Sequence, residues 1–279
     1  EKIDIPAPDV NTNGKIMSWM VDAYENVVKK SAPGVFTGKP VEFGGSLART
    51  EATGYGVNFA AVQALEKLGK DVKGATYAIQ GFGNVGYHTG YYAHQSGAKV
   101  VAVSTVDVAI YNENGLDMEA LFKEFQEKGF ITNEAGYGKE ISNAELLALD
   151  VDVLAPCALE NQLTSENAGK VRAKIVVEGA NGPTTPEADA ILRQNGVLVV
   201  PDILANCGGV VVSYFEWVQN LQGYYWEFDE VQEKETVVLR RAFRDIWNLA
   251  QEYDVDLRTA SYMMSIRRVE KAMKLRGWY

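Results

Sequence analysis

The chain is poor in the residues that build several kinds of site. Two cysteines, Cys157 and Cys207, in 279 residues cannot form a disulfide framework, and they fit a reduced, cytoplasmic setting. The two histidines, His88 and His94, stand six apart, so no i, i+4 pair presents a metal site. No G-x-S-x-G, P-loop or C-x-x-C occurs. Positive charge is scarce: 27 lysines and arginines face 37 acids, a net charge of −10. That balance excludes nucleic acid as a natural partner, since phosphate binding needs clustered cations. The stretch from Gly74 to Ala98 carries no formal charge, and its length would suit a membrane span. Its six glycines, two histidines, two glutamines and one asparagine argue against that, so no membrane is expected. No signal peptide opens the chain. It starts at Glu1 without methionine, and residues 1 to 10 read as mid-chain loop, so a preceding segment is expected to have been removed.

Apolar residues make up 47% of the chain and charged residues 23%, a globular balance. Short, nearly continuous apolar runs read as buried strands at Ala75–Gln80, Lys99–Ser104, Val151–Ala155, Ala173–Val177 and Val197–Val200. Helical spacing is read at about 13–30, after Thr50, and at 84–96, 117–128 and 185–195. Asn11 or Thr12 reads as the cap of the first helix, and Thr185 with Pro186 as the start of the fifth. From about Asn206 the pattern is wholly helical, over 207–221, 229–252 and 258–276. The alternation predicts an α/β fold, a doubly wound Rossmann-like parallel sheet followed by an all-helical C-terminal segment. The expected divisions are a junction at 1–34, a dinucleotide-binding domain at 35–206 and a helical segment at 207–279.

Gly81-Phe82-Gly83-Asn84-Val85-Gly86 is a G-x-G-x-x-G between a predicted strand and a predicted helix. In that setting Gly81 permits a tight turn, Gly83 lets the backbone approach a pyrophosphate, and Gly86 allows close helix–strand packing. The helix N-terminus offers unpaired N–H groups to phosphate. Phe82, Asn84 and Val85 share this binding turn. An acid is due about 20 residues on, to hold the adenosine ribose. Thr105 stands there, with Asp107 two residues later. The cofactor is therefore NAD or NADP.

The chain resembles the glutamate/leucine/phenylalanine/valine dehydrogenases, and glutamate dehydrogenases among them. The resemblance lies in Pro6-Ala-Pro-Asp-Val-Asn-Thr-Asn13, Thr37-Gly-Lys-Pro40, Gly44-Gly-Ser46 and Arg49-Thr-Glu-Ala-Thr-Gly54. It continues through Gln80-Gly-Phe-Gly-Asn-Val-Gly86, Val177-Glu-Gly-Ala-Asn-Gly-Pro-Thr184, Pro201-Asp-Ile-Leu-Ala-Asn206 and Val212-Ser-Tyr-Phe-Glu-Trp217. It implies reversible deamination of glutamate to 2-oxoglutarate and ammonia, with hydride transfer from the substrate Cα to the coenzyme, and a homo-oligomeric full-length enzyme. Asp9 matches the catalytic aspartate; on its own it would read as a turn carboxylate. Arg49, Val210 and Ser213 match the substrate side, where Ser213 bonds the side-chain carboxylate. Thr37 and Thr53 match cleft positions that contact cofactor or substrate, and Asn181 and Asn206 match amides beside the nicotinamide. Thr105 would stand at the ribose.

The sequence departs from the family at Thr105, where an acid is usual, and at Cys157 and Cys207, where small residues are usual. The family's general-base lysine lies upstream of the aspartate loop, in a segment this chain does not contain. The expectation is a chain that binds nucleotide without turning over glutamate alone. Two other readings stay open: a sibling dehydrogenase for an apolar amino acid, against which Ser213 argues, and a non-catalytic dinucleotide-binding module. The aromatic run Tyr214–Trp226 reads as helix packing or as a contact surface. The C-terminal basic residues read as a solvated helix face.

Overall fold

The computed structural model describes residues 3–9 and 11–278. Glu1 and Val10, which belong to the predicted opening loop, lie outside them. The helices and strands follow in chain order: α1 Gly14–Val28, α2 Ala52–Lys67, β1 Thr76–Gln80, α3 Asn84–Gln95, β2 Lys99–Ser104, β3 Ala109–Tyr111, α4 Met118–Lys128 and β4 Lys139–Ile141. Then come α5 Asn143–Leu147, β5 Val153–Pro156, β6 Ile175–Val177, α6 Pro186–Gln194, β7 Leu198–Val200, α7 Asp202–Ala205, α8 Gly208–Gln222, α9 Phe228–Tyr253 and α10 Leu257–Leu275.

Contacts gather the chain into two compact units, each built from two stretches. One joins Glu1–Thr53 to Gly208–Val238; the other joins Gly54–Cys207 to Leu239–Tyr279. These units cut across the divisions at 34 and 206. The cause is local: the buried Glu216 carboxylate of α8 accepts Lys39 Nζ at 2.6 Å and the Gly38 amide at 2.8 Å. A stretch 177 residues away in sequence thereby becomes part of the N-terminal fold.

The larger unit holds a seven-stranded sheet in the order β4-β3-β2-β1-β5-β6-β7. The five predicted strands are all present and mutually parallel. Strands β3 and β4 were not anticipated; they add an antiparallel edge. Alternate side chains fill opposite cores. Tyr77, Ile79, Val153, Ala155, Ile175 and Val177 pack on one face, against α2, α3 and the C-terminal helices. Ala78, Leu154 and Val176 pack on the other with Leu146 and Leu192. The period of two, apolar on both sides, is what a sheet covered by helices requires. Register shifts by one residue between Tyr77 and Ala78, so Val101 and Ala102 share a face.

The smaller unit comprises α1, the loops to Thr53, α8 and the start of α9. Ala48, Ala52, Val212, Phe215 and Val231 form its main apolar cluster. The cap of α1 is Asn13, whose side chain accepts the Ile16 amide at 3.1 Å, rather than Asn11 or Thr12. Thr12 is diverted into the Asp9 turn: its hydroxyl accepts the Asp9 amide at 2.6 Å and donates to the Asp9 carbonyl at 2.7 Å. Asn11 takes a left-handed φ of 60°. Thr185 caps α6 as expected, with Pro186 at its first position.

Candidate functional site

The glycine turn sits where the strand order reverses, at the carboxyl ends of β1 and β5. Each glycine has its own reason. Gly81 has φ 86° and lies so close to Ala158 that a Cβ would come within 2.8 Å of its backbone nitrogen. A Cβ on Gly86 would collide with the Gly81 carbonyl, so α3 can begin only if that residue is bare. A Cβ on Gly83 would meet no described atom within 4 Å, which leaves its backbone open to approach. No side-chain hydrogen bond caps α3 among the described residues. The N-terminal end of a helix carries a partial positive charge, and together with the open backbone at Gly83 it suits a diphosphate. Phe82 is buried beside Phe122 and Phe125 and anchors the turn from beneath. Val85 packs against the same core.

Ser104, the last residue of β2, accepts the Gly81 amide at 3.2 Å and ties that strand to the turn. Thr105 follows and folds back on itself: its hydroxyl accepts the amides of Asp107 at 3.3 Å and Val108 at 3.2 Å. Asn181 and Asn206, 25 residues apart, come together. Asn206 Nδ2 donates to Asn181 Oδ1 at 2.7 Å and to the Gly179 carbonyl at 3.3 Å. That leaves the Asn181 amide NH2 as a donor group and the Asn206 carbonyl as an acceptor, the complement of a carboxamide.

The loop carrying Asn181 is fixed by a network that the sequence did not reveal. Glu178 is fully buried and pairs with Arg258 Nη2 at 2.7 Å. Its other oxygen accepts the Asp202 amide at 2.8 Å, while the Asp202 carboxylate accepts the Gly182 amide at 2.8 Å. Arg258 also reaches Asp189 at 2.6 Å. Burial raises the Glu178 carboxyl, against the lowering effect of Arg258. Nothing in the sequence distinguishes Arg258 from the other C-terminal cations.

In the smaller unit, Arg49 Nε donates to Ser213 Oγ at 2.8 Å, so two predicted substrate residues 164 positions apart are in contact. Burial lowers the Arg49 guanidinium, opposed by the charges of Glu216 and Glu235. Thr53 lies against the N-terminus of α8, where a Cβ on Gly209 would strike its hydroxyl. Val210 is 67% exposed on that helix. Thr37 is buried, and its amide donates to the Pro6 carbonyl at 3.0 Å, which joins its turn to the loop bearing Asp9. Asp9 is exposed. Glu235, whose charge acts on Arg49, carries no motif that singles it out in the sequence. It is 1% exposed, and its Oε1 accepts no hydrogen bond among the described residues. Burial, then Glu51, push its carboxyl up to about 8, against the opposing pull of Arg49.

Burial pushes Cys157 up to about 12, and Cys207 donates to the Leu204 carbonyl at 3.0 Å. No cluster of three or more potential metal ligands occurs among the described residues. None of the described helices is long and apolar enough to cross a membrane.

A mostly parallel sheet wound on both faces, with a glycine fingerprint at its switch point, defines a Rossmann-type α/β protein. The profile of the Glutamate/Leucine/Phenylalanine/Valine dehydrogenase family matches residues 44–277, and the chain belongs to that family. It is 55% identical, over its whole length, to the NAD-specific glutamate dehydrogenase of Clostridioides difficile, of which it covers 67%. Among solved structures, glutamate dehydrogenase from Peptoniphilus asaccharolyticus matches 99% of this chain with a TM-score of 0.86 at 45% identity. The hetero-hexameric glutamate dehydrogenase of Thermus thermophilus, in its Leu-bound form, matches 99% with a TM-score of 0.92 at 34% identity. This chain covers 66% and 65% of those two proteins, so it spans about two thirds of its relatives' length.

Proposed function

We propose that this chain is the coenzyme-binding part of a glutamate dehydrogenase that reversibly converts L-glutamate and water to 2-oxoglutarate and ammonia. The observation that carries the reading is the glycine turn at the N-terminus of α3, in which Gly81 and Gly86 have no room for a Cβ and the Gly83 backbone is open to approach. Gly83 and the amides of Asn84 and Val85 would hold the diphosphate, with Asn181 and Asn206 binding the carboxamide through one donor and one acceptor. NAD, when bound, supplies the hydride acceptor. The NAD specificity of the Clostridioides relative supports NAD as the coenzyme.

The chain's own residues do the rest by binding and proton handling. Arg49 and Ser213 suit a carboxylate: a guanidinium held by a hydroxyl offers fixed donors at a partly desolvated position. An apolar amino-acid side chain would give the Ser213 hydroxyl proton and the outer N–H groups of Arg49 no acceptor, so this pair favours an acidic substrate over leucine or valine. Asp9 would accept a proton from the substrate amino group and return it in the reverse direction. The turn closed by Thr12 fixes the backbone beneath Asp9. Thr37 and Thr53 support the Asp9 loop and the start of α8 respectively. The hetero-hexameric Thermus relative supports an oligomeric enzyme.

Titration calorimetry with NAD tests the reading on this chain. Gly83 has φ −83°, which any residue adopts, so Gly83→Val should fold normally and lose NAD binding. Retention of full affinity in that variant would remove the diphosphate from this turn.

A further inference from the structure

The start of α8 is built around two bare residues. A Cβ on Gly208 would stand 2.4 Å from Glu235 Oε1, and one on Gly209 would stand 3.4 Å from Arg49 Nη1. The Glu235 carboxyl and the Arg49 guanidinium therefore meet the same turn of α8 at consecutive positions. Gly209, Ser213 and Glu216 follow one another at i, i+4 and i+7, on one face of the helix. Arg49 gives its Nε–H to Ser213 on that face. Glu235 reaches the turn from α9, 1% exposed and with Oε1 unpaired. The loop before α2 brings two charges to Glu235: Glu51, which raises its carboxyl, and Arg49, which lowers it. From α8 comes Glu216, which acts on Arg49 but is already matched by Lys39. On α9 itself, Lys234 is drawn to Glu230 at 3.6 Å and lies over the Trp226 ring.

We propose that Glu235 is a positioning residue that sets how firmly Arg49 and Ser213 hold the substrate's side-chain carboxylate. The assignment rests on the substrate reading above and deepens it. While Glu235 carries its proton, the guanidinium meets no unmatched anion at the start of α8, and its charge is left for the incoming carboxylate. When Glu235 ionises, it competes with the substrate for one cation, and the two anions repel each other in a poorly hydrated place. Burial keeps the proton on Glu235 up to about pH 8, so the pair holds a carboxylate at full strength through neutral pH and weakens above it. The coupling is reciprocal: a bound carboxylate holds the Glu235 proton more firmly by the same factor.

The test uses this chain, with glutarate as the probe and the Arg49 Nε–H resonance, assigned with Arg49→Lys, as one readout. Glutarate is a dianion from about pH 7 to about pH 9.5, so its own charge stays constant. Circular dichroism verifies folding. In the parent, the resonance should titrate with a midpoint of about 8. Glutarate should bind about tenfold less tightly at the upper pH than at the lower, and at saturation it should raise that midpoint by about one unit. Glu235→Gln keeps the shape of the protonated acid; it should lose the titration and bind glutarate equally at both ends. Glu51→Gln should lower the midpoint, since Glu51 is the neighbouring charge that raises it. A purely structural role for Glu235 would leave the midpoint where it was. Glutarate affinity that falls with pH in Glu235→Gln as it does in the parent overturns the role given to Glu235 alone. A folded parent that binds no glutarate at either pH overturns the substrate reading of Arg49 and Ser213 and this assignment with it, while NAD titration decides the coenzyme reading separately.

Discussion

Along the first turns of α9, Phe228, Val231 and Val238 form an apolar stripe whose spacing asks for an apolar residue at 235. A glutamate stands there instead, with one carboxyl oxygen unpaired. Its carboxyl is raised from 4.5 to about 8, chiefly by desolvation. The unfolded chain gives up this proton near pH 4.5, while the folded chain keeps it until about pH 8. The stabilising contribution is therefore complete below pH 4.5 and is lost as pH rises through 8. Glu235→Gln and Glu235→Leu should remove that dependence. In denaturant melts their advantage over the parent should grow between about pH 5 and pH 9, by roughly 2–4 kcal/mol. An advantage equal at both ends would mean that Glu235 ionises normally. A period of this kind says which helix face is buried, but it gives no signal of the neighbours that an acid on that face would meet. Arg49 and Ser213 were likewise recognised singly, through the resemblance. Their hydrogen bond spans 164 positions, and no local spacing encodes it.

Elements were legible where local chemistry alone decides them. Thr185 and Pro186 start α6 because a hydroxyl cap and a fixed φ suit that turn whatever lies around it. Asn11, Thr12 and Asn13 are all competent caps, and only the turn at Asp9, which takes up Thr12, selects Asn13. The fingerprint was read correctly as a strand–turn–helix, and its glycines differ in cost. Gly86→Ala must push against the Gly81 carbonyl and should destabilise by about 2 kcal/mol or more. Gly83→Ala should stay within about 0.5 kcal/mol of the parent. Equal losses in thermal melts would contradict this division between packing and binding. The Asn181 loop depends on a different element, α10, through Arg258. Arg258→Met leaves Glu178 buried without its cation and should cost roughly 2–4 kcal/mol. In the folded variant, NAD should lose affinity while ADP-ribose, which lacks the nicotinamide, binds as before. Equal losses for both ligands would separate the network from the nicotinamide end.

The whole molecule was legible as an α/β alternation because five buried strands and their helices each carry their own period. The antiparallel edge was not, since β3 and β4 are three residues each and β4 is largely exposed, too short for any period to register. Nor were the two discontinuous units. Their outlines follow from α8 and the first part of α9 folding with the loops around Lys39 and Arg49, through contacts such as Lys39–Glu216. This division shapes how coenzyme binding spreads its effect. Every residue proposed to touch the diphosphate, the ribose or the carboxamide belongs to the larger unit, whereas Arg49 and Ser213 belong to the smaller one. A ligand that binds only the folded state stabilises it by RT ln(1 + [L]/Kd), about 2.7 kcal/mol at a hundredfold excess over Kd. Hydrogen exchange with and without saturating NAD should therefore show slowed amides at 81–86 and 179–183, next to the proposed contacts. Amides of α1, in the smaller unit, should exchange at unchanged rates through their local openings. Equal slowing in α1 and in the fingerprint would show that the coenzyme acts on both units together and that the smaller unit does not open independently of the larger one.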